Sequence, residues 1–540
     1  AAKVLLSMAT LAACALAIYG ITTLLNIIIL EVIIVILLLG ICFWFIFKII
    51  KKAINFEKYK QYFNTRTLTK GVLVYSLISI IVVSFIYLFT LTPNNAFKDY
   101  LGDDDLYQVI TQDEEFFRVE QKSYAGGVMS HSNDGIYYGY RSTGNYNSMN
   151  NGYVNKFLDY FDIYNENTSV GYNGFDLRTQ PMNFHNVKYV IITESDEANP
   201  PYGFTYFDEV EVPKYDKDKY VYSLGGNIIR ENKEIVYEKA RIYINNNYLR
   251  FGAVYYDYVL KSEINLLNAL GKENVLLDAV ILDDEVEGLN HYNETKSISG
   301  NKVEDITLDN IILKDGVYRV GLNGGTISFT IENIANSEVF LEINNLLPID
   351  KYVQFDTKYI TEDVETKETY FTFGSNMYVD NSHRFVNLGY YEAKDILEVQ
   401  IYLDFGRYTF DDIYYYCNDL SNIDAKINEL NRNTLNGFTE TNNGFYGYID
   451  HEETGMMVFS IPYQKGFTAY IDGEEVDIHL VNEGYMGIVV PNGYHEIVMD
   501  YQTPGLNIGV AISISAAIFV SIMGVVDLTK IVIKRIKYRK

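Results

Sequence analysis

The sequence is poor in cysteine, proline and tryptophan: 540 residues contain three, nine and one of them. Cys14 and Cys42 lie in apolar runs, and Cys417 stands alone in the long polar part of the chain. A disulfide within that polar part is therefore excluded, and its fold must be stabilised by tertiary packing, which its length allows. No proline-rich or low-complexity linker marks a boundary inside it.

Motifs of several enzyme classes are also missing. The chain contains no phosphate-binding Gly-x-x-x-x-Gly-Lys, no Gly-x-Ser-x-Gly and no His-Glu-x-x-His, and its seven histidines do not have metal-ligand spacing. Asp103 to Asp105 could hold a divalent cation, and Asp283 to Glu294 partly matches a calcium loop. A charged collar beside a membrane span and a solvated acidic turn are the favoured interpretations, so no metal site is predicted.

Basic residues are scarce between residues 92 and 505. This stretch has 67 acidic and 30 basic residues, a net charge of −37, whereas the two flanks together carry +11. Such a surface argues against nucleic acid as a partner, because little positive charge is available to neutralise phosphates. It argues equally against lying flat on an anionic bilayer.

Long apolar runs are confined to the two ends of the chain. Runs of about 20 residues at 4–23, 27–47, 71–91 and 506–526 are long enough to cross a bilayer as helices. The loop at 48–70 and the C-terminal tail are basic, which predicts that both face the cytoplasm and that residues 92–505 lie outside. Small residues recur every fourth position in the first and last runs, which favours helix packing over lone anchors.

The predicted fold class is therefore a membrane α-helical bundle of about four spans plus a large extracytoplasmic α+β domain, mainly β-sandwich. Residues 1–91 hold three spans, and 506–540 hold the last span and the cytoplasmic tail. Between them, we predict a mixed α+β region at 92–295 and a β-sandwich region at 296–505. Alternating apolar residues around Asp472-Gly473 predict a tight hairpin, and Asn492-Gly493 predicts the start of another strand. The mixed region should contain a helix near 155–161 and a strand at 187–192.

Tyrosine is abundant, with 49 residues, and several cluster between 137 and 153. Tyrosine combines a flat apolar face with a hydroxyl group, which suits contact with sugar rings. Tyr138, Tyr140 and Arg141 are the candidate contacts for an acceptor polymer, with Arg141 as a fork for a phosphate or carboxylate. The alternative is that these tyrosines are ordinary strand residues.

Four segments resemble the YfhO family of bacterial membrane proteins. They are IPYQKGFTAYIDG (461–473), NGYHEIVMDYQTPGLNIGVAIS (492–513), YGYRSTGNYNSMNNGYVNKFLDYF (138–161) and HNVKYVII (185–192). Phe467 departs from the family pattern, in which a Trp is usual there.

The resemblance implies a relative of the C-type glycosyltransferases, which transfer a sugar from a polyprenyl-phosphate donor to an acceptor outside the membrane. For this family the implied acceptor is a teichoic-acid-like envelope polymer. The superfamily's catalytic carboxylate lies on the first outer loop of about a dozen spans. This chain is therefore expected to be a C-terminal portion that lacks it, with the missing N-terminal helices as partners. No catalytic residue is assigned, no cofactor is predicted in this portion, and the need for a divalent metal is left open.

We thus expect the outer domain to position an acceptor polymer for a membrane-embedded transferase. The alternative is a non-enzymatic, membrane-anchored envelope protein for binding or adhesion.

Overall fold

A computed structural model describes residues 107–121, 133–146, 151–163, 171–194, 198–213, 220–222, 228–230, 237–349, 354–362, 365–371 and 383–538. The three spans predicted before residue 92, with their basic loop, and the acidic run Asp103 to Asp105 lie outside these residues.

Helices are short in this part of the chain, except for the last one. They are α1 (Gln108–Thr111), α2 (Asp134–Tyr138), α3 (Gly152–Tyr160), α4 (Thr179–Phe184), α5 (Lys261–Ile264), α6 (Ala269–Val275), α7 (Ile423–Leu430) and α8 (Leu506–Lys537).

Strands make up most of the described structure. Those of the first half are β1 (Arg118–Gln121), β2 (Gly144–Tyr146), β3 (Gly171–Asn173), β4 (Val187–Thr193), β5 (Thr205–Pro213), β6 (Tyr220–Tyr222), β7 (Ile228–Arg230), β8 (Tyr237–Ile244), β9 (Ala253–Tyr255), β10 (Asp257–Leu260), β11 (Val280–Leu282), β12 (Asn290–His291), β13 (Asn301–Lys302), β14 (Thr307–Asp309), β15 (Ile311–Lys314) and β16 (Val317–Val320). Those of the second half are β17 (Gly325–Ile343), β18 (Leu347–Pro348), β19 (Gln354–Ile360), β20 (Glu365–Phe371), β21 (Arg384–Leu403), β22 (Gly406–Thr409), β23 (Ile413–Asp419), β24 (Asn436–Glu440), β25 (Gly444–His451), β26 (Gly455–Pro462), β27 (Phe467–Ile471), β28 (Glu474–Val476), β29 (His479–Val481), β30 (Tyr485–Val490) and β31 (Gly493–Tyr501).

The strands form several separate sheets. The first sheet has the order β1-β4-β8-β5, with β1 parallel to β4 and the other pairs antiparallel. Long strands β17 and β21 form the centre of β13-β23-β17-β21-β19-β20, with β14 also on β17, and a smaller sheet has the order β15-β16-β22-β18. Near the C-terminus lie the sheets β24-β25-β31-β27-β28 and β29-β30-β26-β9. Smaller groupings are β11-β10-β12, β2-β3 and β6-β7.

The two C-terminal sheets share one hydrophobic core. Alternate residues of β25 and β31, such as Phe445, Ile449 and Ile497, pack there against Met457 and Phe459 of β26. This period-two pattern leaves the opposite face of β25 and β31 uncovered by other described elements. Strands β27 and β28 pair antiparallel on either side of Asp472-Gly473, and both of these residues have positive φ. The predicted hairpin turn is therefore confirmed.

The predicted fold class is wrong for the described residues. They are mostly β, and the part from Leu506 to Val526 is the one described segment long and apolar enough to cross a membrane. Its side chains are exposed along its length, and no second spanning helix packs against it within the described residues. The described residues therefore contain one candidate spanning helix and no four-helix bundle. The prediction failed because small residues every fourth position permit close packing but do not supply a partner.

A buried ionic cluster ties the segment before α4 to the long sheet and to α6. The fully buried Arg178 guanidinium donates to Glu273 Oε1 at 2.8 Å and to the carbonyl oxygens of Phe161, Asp162 and Phe385. In the same cluster, Glu338 of β17 accepts a hydrogen bond from the Thr179 backbone N–H at 3.1 Å.

Carboxyl groups outnumber the guanidinium in this cluster, so its acids resist ionisation. Burial, with the neighbouring Glu273, raises the pKa of Glu338 to about 8, and burial raises the pKa of Glu273 to about 7. Arg178 lowers both pKa values in part, because it favours the charged form of each carboxyl.

Candidate functional site

A cavity of about 330 Å³ opens beside the first sheet. Its walls come from β1, the α2 turn with residues 140–145, one face of α3, β3, the turn after α4, and strands β26 and β30. The segment 141–143 lies along β1, because Val119 donates to the Arg141 carbonyl and Thr143 donates to the Val119 carbonyl. Residues far apart in the chain therefore meet around one cavity, which we call the Arg118 pocket.

Arg118 is the central charged group of the pocket. It begins β1 between Phe117 and Val119, whose side chains are buried in one hydrophobic core cluster. Its guanidinium donates to the Ser460 hydroxyl and carbonyl oxygens, both at 2.7 Å, and to the His185 carbonyl at 2.9 Å. These contacts fix the orientation of the group and use three of its five N–H donors.

No described carboxylate forms an ion pair with Arg118, and no acidic residue is among the described residues that line the pocket. Burial, together with the nearby positive charge of Arg141, lowers the pKa of Arg118 to about 10. The group still carries its charge at neutral pH. A desolvated cation without a counter-ion is costly, so the pocket is suited to receive an anionic group.

His185 forms an uncharged part of the pocket wall. Its Nδ1 lies 2.7 Å from the Pro181 carbonyl and must donate to it, so Nε2 accepts a hydrogen bond from the Tyr485 hydroxyl. Its ring stacks on Phe175 with the centroids 3.8 Å apart. Burial and the nearby Arg118 charge hold the pKa of His185 well below its usual range. The imidazole is therefore neutral and holds the Tyr485 hydroxyl in place.

Glu120 lies two residues after Arg118 in β1, but it does not line the pocket. Its carboxyl accepts hydrogen bonds from the Thr143 hydroxyl and from the Phe175 backbone N–H. Burial raises the pKa of Glu120 to about 7. This carboxyl thus links the segments 142–145 and 174–177 through hydrogen bonds. It is not a partner of Arg118.

The structure places the three predicted contact residues at or near this pocket. Tyr138 and Tyr140 are each 8% exposed and pack edge-on against Tyr107, with centroids 5.0 and 5.6 Å away. Tyr140 also contributes to the pocket wall. Arg141 lines the pocket, lies 4.8 Å from the centroid of the Phe116 ring, and pairs with Glu440 at 2.6 Å. The role of these residues in acceptor contact stays a prediction.

Sequence reasoning did not identify Arg118, Tyr172, His185 or Tyr485 as site residues. One signal was available, because a basic residue between Phe117 and Val119 interrupts an apolar strand and implies a polar environment on that face. His185 and Tyr485 are 300 residues apart, and only the tertiary fold brings them together.

In the described part of the chain, no group of three or more Asp, Glu, His or Cys side chains is arranged to hold a metal ion. The segment from Asp283 to Glu294 is largely exposed and contains the short strand β12.

Comparison with known families identifies the chain's relatives. The family described as "Bacterial membrane protein YfhO" matches residues 3–513. The chain belongs to the YfhO family. The predicted resemblance is thereby confirmed, and with the apolar helix from Leu506 to Val526 it identifies a bacterial membrane protein.

A YfhO relative and two solved structures show how far the likeness extends. "Uncharacterized protein YfhO" of Bacillus subtilis (strain 168) is 24% identical over 349 residues, which cover 61% of this chain and 34% of the relative. The present chain thus spans about a third of the length of the Bacillus subtilis protein. A family GH115 4-O-methyl-α-glucuronidase is 17% identical, covering 25% of this chain and 20% of its own, with a TM-score of 0.18. Arabinofuranosyltransferase AftD from Mycobacteria is 8% identical, covering 80% and 51%, with a TM-score of 0.19. Scores this low carry no argument about this chain's fold or activity.

Proposed function

We propose that the chain is the C-terminal part of a membrane glycosyltransferase-like protein that modifies an anionic, teichoic-acid-like polymer of the cell envelope. The donor would be a polyprenyl-phosphate-linked sugar, and the transfer itself would be carried out by parts of the protein outside this chain. The Arg118 pocket would hold a phosphate of the acceptor polymer. The observation that carries this proposal is a fixed, partly buried guanidinium in a cavity whose described lining contains no acidic residue.

The chemistry of the lining fits one unit of such a polymer. Arg118 supplies positive charge without a described counter-ion, and Arg141, which pairs with Glu440, adds a second guanidinium at the rim. A guanidinium fork matches a phosphate better than an ammonium does. Tyr140, Tyr172 and Tyr485 supply aromatic surface and hydroxyl groups for a sugar or polyol. In a domain with a net charge of −37, a positive cavity gives an anionic polymer one preferred place to bind.

The charge of the C-terminal tail predicts how the chain is oriented in the membrane. Residues 527–540 carry six basic residues and one acidic residue, which favours a cytoplasmic tail and an extracytoplasmic pocket. The acceptor would then be met on the outer side of the membrane, where envelope polymers lie.

The test compares variants of the full-length protein that contains this chain, purified in nanodiscs, in binding to poly(glycerol phosphate). Arg118→Gln should weaken binding about tenfold to a hundredfold, because a hydrogen bond to a charged group is worth about 1.5–3 kcal/mol. Arg319→Gln, which removes an exposed arginine of β16, should leave binding unchanged. Arg118 also holds Ser460 and the 185 turn, so the melting temperature of each variant must be checked.

A second variant tests the proposal even if Arg118→Gln fails to fold. Arg141 is 41% exposed on the pocket rim, and Arg141→Gln removes one charge without touching the contacts of Arg118. Binding should weaken several-fold. Equal binding by the wild type and by well-folded Arg118→Gln and Arg141→Gln proteins would contradict the proposal.

The alternative function is a non-enzymatic envelope-binding protein. In both functions the Arg118 pocket binds the polymer and no transfer step takes place there, which agrees with a described lining that contains no carboxylate to act as a base. Deleting the whole gene separates the two functions. Loss of polymer glycosylation supports the transferase, whereas an unchanged glycan pattern together with Arg118-dependent binding supports the binding protein.

A further inference from the structure

The uncovered face of the β25–β31 pair carries an unusual set of side chains. Its cross-strand partners are Tyr446 with Val498, Tyr448 with Glu496, and Asp450 with Tyr494. Tyrosines and carboxylates therefore alternate diagonally across neighbouring strands. The opposite face of the same strands is buried in the core that this sheet shares with β26 and β30.

The tyrosine rings of this face are displayed to solvent. Tyr446, Tyr448 and Tyr494 are 42%, 44% and 65% exposed. The rings of Tyr448 and Tyr494 lie nearly parallel, 28° apart, with their centroids 5.8 Å from each other. The Tyr448 ring also rests on Gly437 of the edge strand β24, where a Cβ atom would approach it to 2.5 Å. The rings thus form a preformed aromatic surface, which we call the tyrosine platform.

Two carboxylates accompany the platform. Asp450 and Glu496 are exposed on the same face, and neither forms an ion pair with a described lysine or arginine. Carboxylates accept hydrogen bonds from ammonium or hydroxyl groups, and tyrosine faces attract cations. The combination is complementary to a ligand that presents both a flat, CH-rich surface and positive charge.

We propose that the tyrosine platform binds an amine-bearing saccharide, with sugar rings on Tyr448 and Tyr494 and ammonium groups at Asp450 and Glu496. This site lies on a different sheet from the Arg118 pocket and takes a ligand of opposite charge, so it goes beyond the proposed function. Phosphate-bearing polymer is repelled by the same two carboxylates.

A lipid surface is a less suitable occupant. Tyr494 is seven residues before Tyr501, the last residue of β31, and so lies about 23 Å along the strand from the end that leads into α8. Anionic headgroups would also meet Asp450 and Glu496 at close range. The platform is therefore placed and charged for a ligand in the aqueous phase.

The experiment measures binding of a glucosamine hexamer to the full chain in nanodiscs, at a pH where its amines are protonated. The N-acetylglucosamine hexamer has the same length without the charge and should bind at least tenfold more weakly. Tyr448→Ala should weaken glucosamine binding about fivefold, because the aromatic face on which one sugar ring lies is lost. The double variant Asp450→Asn/Glu496→Gln should weaken it at least tenfold.

Matched controls separate this site from the general negative field of the domain. Tyr237→Ala removes a tyrosine that is 49% exposed on β8, and Asp283→Asn/Asp284→Asn removes two exposed acids elsewhere. Both controls should bind like the wild type. The proposal is overturned by no measurable binding, by equal binding of the two hexamers, or by equal weakening in the controls and the platform variants.

Discussion

Two arginines differ in whether the fold supplies a counter-ion for their charge. Arg178 is fully buried, pairs with Glu273 and donates to three carbonyl oxygens. Burial alone would lower its pKa, but Glu273 and Asp176 hold the pKa of Arg178 above its usual value. Arg118 has carbonyl and hydroxyl partners without a carboxylate, and burial lowers its pKa to about 10. The first charge is compensated by the fold, whereas the second leaves electrostatic attraction for a ligand.

Glu338 gives a prediction at the residue scale. In the unfolded chain a glutamate titrates near 4.5, whereas burial raises the pKa of Glu338 in the fold to about 8. Below pH 4.5 both states hold the proton, so the full stability is present. Between pH 4.5 and 8 the unfolded chain releases the proton first, so stability falls as pH rises, by at most about 1.4 kcal/mol per pH unit. Glu338→Gln should therefore gain stability over the wild type from pH 5 to pH 8.

The readout is the difference in melting temperature between the two proteins at each pH, because Glu120 and Glu273 titrate in the same window. Glu332→Gln, an exposed position on the same strand β17, should differ from the wild type by a constant amount. A difference for Glu338→Gln that does not grow with pH would show that this carboxyl is not held protonated in the fold.

At the scale of elements, sequence patterns identified those that local chemistry determines. Asp-Gly at 472–473 requires two residues with positive φ, and Val187–Thr193 is a short apolar run, so both the hairpin turn and β4 could be predicted. The alternation of Val476, Ile478 and Leu480 predicts a longer second strand for this hairpin than the structure contains. β28 ends at Val476, and His479–Val481 joins a different sheet.

Other elements depend on distant partners and left no such signal. The pairing of β9 with β26 joins residues about 200 positions apart, and no local pattern encodes it. The same holds for the Arg118 pocket, whose walls come from residues between 118 and 485. The tyrosine cluster in the sequence identified two residues of the pocket wall, Tyr140 and Arg141. The central arginine required the tertiary structure.

Strand β17 gives a prediction at this scale. Residues 337–343 pair with β21 on one side and β23 on the other, whereas residues 330–335 have only β21 as a described partner. Amides with partners on both edges open only in larger unfolding events. Peptides covering 337–343 should exchange hydrogen at least tenfold more slowly than peptides covering 330–335. Equal exchange would mean that β17 opens as one unit.

For the whole molecule, charge separates two kinds of surface. Residues 92–505 have a net charge of −37, yet the described lining of the Arg118 pocket contains two arginines and no acid, while the tyrosine platform carries two carboxylates without a described basic partner. An acidic surface repels anionic polymers over most of the domain, so the positive pocket would be the preferred place for the proposed polymer to bind. Both proposed sites require the domain to face the envelope.

That orientation can be tested with single cysteines in a chain whose native Cys14, Cys42 and Cys417 are replaced by serine. Leu266 is 95% exposed in the turn between α5 and α6, and Tyr538 is 82% exposed just after α8. In intact cells, a membrane-impermeant maleimide should label Leu266→Cys and should leave Tyr538→Cys unlabelled, because the helix between Leu506 and Val526 separates the two sides.

Permeabilised cells supply the control for this labelling. Both positions are exposed, so both cysteines should react there at similar rates, and a low signal for Tyr538→Cys in intact cells then reports the membrane barrier and not a hidden thiol. Labelling of Tyr538→Cys in intact cells at the rate of Leu266→Cys would place the tail outside. Labelling of Tyr538→Cys alone would reverse the orientation and put the Arg118 pocket on the cytoplasmic side, where an envelope polymer could not reach it.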